Sequence, residues 1–186
     1  MRALVADATE ALARAKIGIG GDAKRSIFRI YRDVRFGHDK SPYRTHLSAY
    51  LSYDGARDTP GGLYVHIAPK QSFLSVAFYR IEKPMLARWR SEMAARPERF
   101  LRVVQTLERR GLAFEGPDES DDALARVARG FERFAQAEIA PYLRLRSFCA
   151  GHALEDDTIR SPELVESVVA AARAAKPLLA FGWALQ

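Results

Sequence analysis

Residues 46–79 read HLSAYLSYDGARDTPGGLYVHIAPKQSFLSVAFY and contain three stretches in which apolar and polar residues alternate. The stretches are residues 46–53, 63–68 and 72–79. A side-chain period of two is typical of β-strands, and Asp54-Gly55 is a hairpin-turn signal. The last two stretches are joined by the short turn from Pro69 to Gln71. Because short connections join antiparallel neighbours, we predict an antiparallel meander of three strands.

Helical and further strand patterns lie on both sides of this meander. One predicted helix covers residues 2–16, and three more begin at Pro84, Pro97 and Ser161. A weaker helical pattern covers residues 122–138. Two further strands are predicted, over residues 25–36 and 143–150. Lys176-Pro177 is expected to break the last helix, so that residues 178–185 form a short helix or a docked tail. Met85, Trp89 and Met93 lie four residues apart and are expected in the core.

The order of these elements predicts an α+β fold, with an antiparallel sheet in the N-terminal half and packed helices mainly in the C-terminal half. A chain of 186 residues is of ordinary size for a single domain, here residues 1–186. Its expected parts are an N-terminal helix at 2–16, a sheet-rich core at 24–80 and a mainly helical part at 84–186.

Composition excludes several classes of protein. Cys149 is the single cysteine, so a disulfide framework and a cysteine-based zinc site are excluded. The four histidines have no paired spacing, and we predict no metal site and no cofactor. Charged residues interrupt the apolar pattern of residues 1–16, and no apolar run reaches the roughly 20 residues of a membrane span. We therefore expect a cytoplasmic protein without a membrane partner, whereas the oligomeric state is not predicted.

Positive charge is concentrated in one segment. The chain has 29 basic and 23 acidic residues, a net charge of +6, and residues 24–46 alone carry seven bases and two acids. That segment therefore holds +5 of the total, and the rest of the chain carries only +1. By contrast, residues 115–122 contain five acids and no base, which is typical of a solvated linker.

The basic segment predicts a candidate site. In a strand over residues 25–36, alternate side chains would lie about 6–7 Å apart on one face, so Asp33 would sit between Arg29 and Arg35. Two guanidinium groups beside one carboxylate leave positive charge that an oxyanion can use. The predicted ligand-binding residues are Arg29, Tyr31, Arg35, Lys40, Tyr43, Arg44 and Tyr64. The candidates for acid–base catalysis are Asp33 and His66.

We therefore expect a small anionic ligand, bearing phosphate or carboxylate, in a pocket lined by Arg, Asp and Tyr; whether catalysis follows is open. The same arginines and Asp33 would alternatively form a structural ion-pair network. Nucleic-acid binding is a second functional hypothesis, because tyrosines lie beside arginines in the sequence and the sequence pI is about 9.7. The low net charge outside residues 24–46 argues against an extended basic surface. The third functional hypothesis is a module that binds an acidic protein partner.

Two segments carry a family resemblance. Residues 29–36 read RIYRDVRF and residues 39–45 read DKSPYRT. Together they resemble the signature R-I-Y-R-D-T-R-F-S-x-D-K-x-P-Y-K-T of the family called domain of unknown function 2461. Residues 60–67, PGGLYVHI, resemble the P-G-x-Y-x-x-I strand that follows it, and Ser161-Pro162 and Pro177-Leu178 match the closing helices more loosely. The resemblance runs from about residue 24 to the end; it implies an α+β fold and no known activity.

The chain departs from that family pattern at three places. Family members usually begin with a further segment that includes a Trp-Phe helix. We therefore expect either a truncated start or an absent N-terminal cap, and in both cases a site that lacks one wall. The basic Lys-Gly-Tyr element of the family stands here as Arg129-Gly130-Phe131, and the His-Pro element as Ala140-Pro141. Any role of those two elements is therefore not carried over to this chain.

Overall fold

The computed structural model describes residues 1–31 and 43–186. Within them, five strands form an antiparallel sheet of order β1-β2-β3-β5-β4. The strands are β1 (Leu47–Ser52), β2 (Gly62–Ile67), β3 (Ser72–Phe78), β4 (Ala113–Phe114) and β5 (Phe148–Leu154). The predicted meander is confirmed, and its three strands begin and end within one residue of the predicted bounds.

The helices in the described part of the chain lie mainly in its C-terminal half, which confirms the α+β class. They are α1 (Arg2–Arg14), α2 (Lys83–Ala95), α3 (Pro97–Arg109), α4 (Ala140–Leu143), α5 (Asp156–Ile159) and α6 (Glu163–Trp183). Pro97 is the first residue of α3, where a missing N–H costs no helical hydrogen bond.

The chain divides into two compact units. The first unit comprises residues 1–74 and 153–172, and the second comprises residues 75–152 and 173–186. The assignment of residues 1–186 to a single domain stays a prediction.

In the first unit, α1 contacts β1 and the two strands β1 and β2 pair in a fixed register. Leu51 lies opposite Leu63 and Ala49 opposite Val65, and all four side chains are buried. On α1, the predicted apolar face is buried at Val5, Ala8 and Leu12. Since side chains alternate across a strand, the partner pairs in between face the other side of the sheet.

The second unit has a core of aromatic rings around Trp89. This side chain is fully buried, and its ring centroid lies 4.0 Å from that of Phe148 and 5.1 Å from those of Phe78 and Phe181. Met85 and Met93 on the same helix are also buried. The predicted core stripe of α2 is therefore confirmed.

The strand predicted over residues 25–36 is wrong in its described part. Residues 25–31 contribute only isolated bridges, Ile27 with Ala49 and Tyr31 with Tyr43. The physical reason is a turn at its start, because the Asp22 carboxylate accepts hydrogen bonds from the backbone N–H groups of Lys24 and Arg25 at 2.8 and 2.9 Å. Residues 32–36 lie outside the described residues.

The helix predicted over residues 122–138 is also wrong. The segment consists of turns and one 3₁₀ turn, Glu132–Phe134. Gly130 has φ of 90°, a left-handed conformation that interrupts a helix. The strand predicted at 143–150 starts later, at Phe148, because Leu143 is the last residue of α4 and a turn with bends occupies residues 144–147.

The break predicted at Lys176-Pro177 is wrong as well, since α6 continues through Pro177 to Trp183. Leu178, Leu179 and Phe181 beyond the proline are buried. Burying a large apolar side chain contributes roughly 1.5–3 kcal/mol, so three of them outweigh the roughly 3 kcal/mol cost of an interior proline.

Candidate functional site

A column of three stacked rings lies on the sheet of the first unit. The His66 ring is in the middle, with its centroid 4.4 Å from that of His46 and 4.7 Å from that of Phe73. His66 and Phe73 are nearly parallel, with an interplanar angle of 16°. The register explains the column, because Ser48 pairs with His66 and His46, two residues earlier, points to the same side.

Tyr64 flanks this column on the same face of β2. Its hydroxyl oxygen lies 3.3 Å from Nδ1 of His66, within hydrogen-bond distance. Its ring centroid lies 5.7 Å from that of Phe73 and 5.8 Å from that of Phe28, the latter edge-on. The hydrogen bond orients the His66 imidazole and leaves Nε2 as the other nitrogen able to exchange a proton.

Both histidines of the column are held in the neutral form. Burial lowers the pKa of His46 below its usual 6.5, and the positive charge of Arg44 lowers it further. Burial likewise lowers the pKa of His66, with a smaller contribution from His46. At pH 7 each imidazole is therefore mainly uncharged and able to accept a proton.

Two open clefts adjoin the column, both within the first unit. Cleft A has a volume of about 400 Å³ and cleft B of about 610 Å³. Cleft A is lined by Arg44, Thr45, His46, Leu47, Ile67, Ala68, Pro69, Ser72, Asp156, Ile159 and Arg160. Cleft B is lined by His66, Lys70, Gln71, Ser72, Phe73, Ala153, Leu154, Glu155 and Asp156. Both volumes are in the range of small-molecule sites, roughly 300–1,000 Å³.

Cleft A has an excess of positive charge. Arg44 and Arg160 are two cationic residues among its lining residues, whereas Asp156 is the one acidic residue among them. Among residues 1–31 and 43–186, neither arginine forms a salt bridge. An Oδ1 atom of Asp156 accepts a hydrogen bond from the backbone N–H of Lys70 at 3.3 Å. The remaining wall is largely apolar, so the cleft combines two cations with a hydrophobic surface.

Ser72 lies on the wall that both clefts share. Its hydroxyl donates to the carbonyl oxygen of Ala68 at 2.7 Å and accepts from the backbone N–H of Ala68 at 3.0 Å. The hydroxyl thereby closes the tight connection between β2 and β3. Since its donor and acceptor are both engaged, Ser72 has a structural role here and is not positioned as a nucleophile.

Tyr31 and Tyr43, both within the basic segment, form an exposed aromatic pair. They are bridge partners, their ring centroids are 5.6 Å apart, and their exposed fractions are 66% and 53%. The backbone N–H of Arg44 donates to the carbonyl oxygen of Ile30 at 2.8 Å, which holds the two chain segments together. Arg29 is exposed as well.

The structure brings some of the predicted site residues together. Arg44 lines cleft A, His66 lines cleft B and Tyr64 touches His66, whereas Arg29, Tyr31 and Tyr43 are on the exposed surface. Asp33, Arg35 and Lys40 lie outside the described residues, so the predicted Asp33 between two guanidinium groups stays a prediction.

The cleft residues that sequence reasoning missed include His46, Phe73, Asp156 and Arg160. The strand pattern could have identified His46, because the alternation of side chains along β1 and β2 places it on the same face of the sheet as His66. Asp156 and Arg160 belong to α5 and the residue after it, far along the chain, and no local pattern connects them with Arg44.

Other chemistries find little support in the described residues. No group of three or more His, Cys, Asp or Glu side chains there could hold a metal ion. Burial raises the pKa of the Cys149 thiol, and nearby Glu115 raises it further, so this thiol is not activated. No helix within residues 1–31 and 43–186 has the length and apolar character of a membrane span.

Comparison with known proteins gives one positive result. The family model described as a conserved hypothetical protein, DUF2461, matches residues 1–181 of the 186. The match includes α1 as well as the segments quoted above, and so begins earlier than the resemblance in the sequence motifs. Searches of curated proteins and of solved structures find no match. The chain belongs to the DUF2461 family.

Proposed function

We propose that the protein binds a small organic anion in cleft A, with its carboxylate or phosphate group between Arg44 and Arg160. The observation that carries this proposal is a pair of arginines that line one cleft, neither of which has a salt-bridge partner in the described part of the chain. A guanidinium group donates two parallel hydrogen bonds to a carboxylate or phosphate, which gives both affinity and orientation.

The apolar wall of cleft A narrows the class of ligand. Leu47, Ile67 and Ile159 offer hydrocarbon surface next to the two arginines. A ligand with an apolar body therefore gains affinity over an inorganic anion of the same charge, at roughly 25 cal/mol per Å² of apolar surface buried. We accordingly expect a carboxylic acid or a phosphate ester with an aliphatic or aromatic portion.

If the bound ligand also extends into cleft B, which His66 lines, and reacts there, His66 is the group proposed to transfer a proton. Its pKa lies below 6.5 and its Nδ1 atom is engaged by Tyr64, which supports a role as general base. The second catalytic candidate, Asp33, remains part of this proposal on sequence grounds alone. A cytoplasmic location is also part of the proposal, and the free thiol of Cys149 is in keeping with it.

Titration calorimetry with two anions and a cation tests the binding proposal. We expect the wild-type protein to bind hexanoate and phenyl phosphate and to show no binding of hexylamine. Arg44→Ala and Arg160→Ala should each weaken binding of both anions about tenfold or more, since a charge-assisted hydrogen bond contributes roughly 1.5–3 kcal/mol.

The matched control is Arg126→Ala, which removes an exposed arginine of the second unit and should leave both affinities within about twofold. Absence of binding of both anions to the wild-type protein would contradict the proposal. Equal affinities in the wild type, Arg44→Ala and Arg160→Ala would contradict it as well.

Binding of single-stranded nucleic acid is a second candidate, favoured by one observation. Tyr31 and Tyr43 present an exposed ring pair, and Arg29 and Arg44, within two residues of them in the chain, are exposed cations. Bases stack on such rings while arginines contact the phosphates. This candidate predicts that a fluorescent oligothymidine binds with an affinity that falls steeply with salt, and that Tyr31→Ala weakens it. Hexanoate binding would be unchanged in that variant.

A further inference from the structure

His46 occupies a position that the anion-binding proposal does not yet use. Its ring is one wall of cleft A and also stacks on His66, at 4.4 Å between centroids. The charged and titratable groups of the described chain that stack on His46 or line its cleft are Arg44, just before β1; His66 on β2; and Asp156 and Arg160 on and after α5. Two permanent cations and one carboxylate therefore line the same cleft as a titratable ring, and the positive charge of Arg44 acts on it directly.

The positive charge of cleft A disfavours a charge on this ring. Protonated His46 would add a third cation beside Arg44 and Arg160, in a half-buried position where water screens the charges only partly. An anion between the two arginines reverses this balance, because its negative charge attracts a proton to the nearest basic group. His46 lines that same cleft, whereas His66 lines cleft B.

We propose that an anion enters cleft A together with one proton, which is taken up by His46, so that the protonated imidazole becomes a third cationic contact beside Arg44 and Arg160. This inference rests on the proposed function. It adds the consequence that affinity for anions increases as the pH falls.

The stack limits the uptake to a single proton. Two charged imidazoles 4.4 Å apart would repel each other, so His66 stays neutral when His46 is charged. The contact of His66 with the Tyr64 hydroxyl at 3.3 Å is compatible with a neutral ring in either tautomer. His46 is therefore assigned as the proton-accepting contact, and His66 keeps its capacity to act as a base.

Calorimetry with inorganic sulfate tests the inference, because sulfate has the same charge between pH 6 and 8 and any proton exchange comes from the protein. Titrations at pH 7 in two buffers of different ionisation enthalpy measure the protons taken up. We expect an uptake of up to one proton per sulfate, and a gain in affinity from pH 8 to pH 6 of at most about tenfold per pH unit.

His46→Gln should abolish both the proton uptake and the pH dependence while still binding sulfate at pH 8. The control is His152→Gln in the second unit, a histidine whose pKa is also lowered by burial, and this variant should keep the wild-type uptake. If His46→Gln does not fold, NMR titration of the wild-type histidines provides the same test, since sulfate should raise the pKa of His46.

The outcomes separate the two proposals. Sulfate binding without proton uptake, or uptake that persists in His46→Gln, overturns this inference and leaves the proposed function standing. If neither sulfate nor the organic anions bind to the wild-type protein, the proposed function fails and this inference fails with it.

Discussion

Because Gly182 has no side chain, α6 can approach the ring of Phe78 closely in the second unit. It lies near the end of α6, and a Cβ atom placed on it would overlap the ring of Phe78, with the third-nearest ring atom only 2.6 Å away. Phe78 is fully buried and its ring centroid lies 5.1 Å from that of Trp89, so the ring has little room to yield. The contact between α6 and β3 therefore depends on glycine at this position.

We predict that Gly182→Ala lowers the free energy of unfolding by about 1–3 kcal/mol, because the added methyl group overpacks the core. Urea denaturation followed by circular dichroism measures this loss. The matched control is Gly116→Ala, since nothing lies within 4 Å of the added Cβ there, and its effect should stay within about 0.5 kcal/mol. Equal stability of the two variants would show that Phe78 can move aside.

At the scale of the element, α6 contains an unfavourable residue that its surroundings tolerate. Pro177 lies inside the helix, where it provides no N–H for the carbonyl oxygen four residues earlier. The residues that follow are buried by the packing of the helix end in the second unit, and this burial holds the backbone in helical geometry. The helix is continuous because of tertiary packing, against its local propensity.

Replacing this proline should therefore stabilise the protein. We predict that Pro177→Ala restores the missing hydrogen bond and raises the free energy of unfolding by about 1 kcal/mol or more, part of the roughly 3 kcal/mol cost of an interior proline. In thermal unfolding this stabilisation should appear as a higher midpoint temperature. Pro97→Ala, at the first position of α3, is the control and should give no such gain. A lower midpoint for Pro177→Ala would mean that the ring itself packs favourably.

For the whole molecule, burial of three histidines makes stability depend on pH. Burial lowers the pKa of His46, His66 and His152 below the unfolded value of about 6.5. In the window just below pH 6.5 the unfolded chain therefore binds more protons than the folded chain. By linkage, the free energy of unfolding rises with pH through this window and levels off above it.

We predict that the melting temperature, measured in a buffer without multivalent anions, increases from pH 5 to pH 7 and is nearly constant from pH 7 to pH 8. The carboxylates with a lowered pKa, such as Asp54 at about 2, lose their stabilising contribution only at lower pH and do not affect this window. His152→Gln should make the increase smaller, because one of the three contributing groups is removed. A melting temperature that falls from pH 5 to pH 7 would contradict the assignment.

Local signals were sufficient for the meander, for α1 and for the core stripe of α2. Period-two alternation, turn residues and apolar spacing act between near neighbours in the chain, so they are readable without the fold. The same counting placed Tyr64 and His66 side by side on one face of β2, and applied to β1 it would have identified His46. The helix predicted at 122–138 failed because its weak apolar pattern was outweighed by local turn geometry, including the left-handed Gly130.

The amino-acid sequence by itself determined the α+β class, the alternating faces of β1 and β2, and the concentration of positive charge near Arg44, because each depends on residues close together in the chain. Only the tertiary structure decided that Arg160 and Asp156 join Arg44 and His46 in one cleft, and that α6 continues through Pro177. These features depend on contacts between segments far apart in the chain. The free energy of such contacts exceeds the local helix propensity of the residues, and the contacts produce no periodic pattern in the sequence.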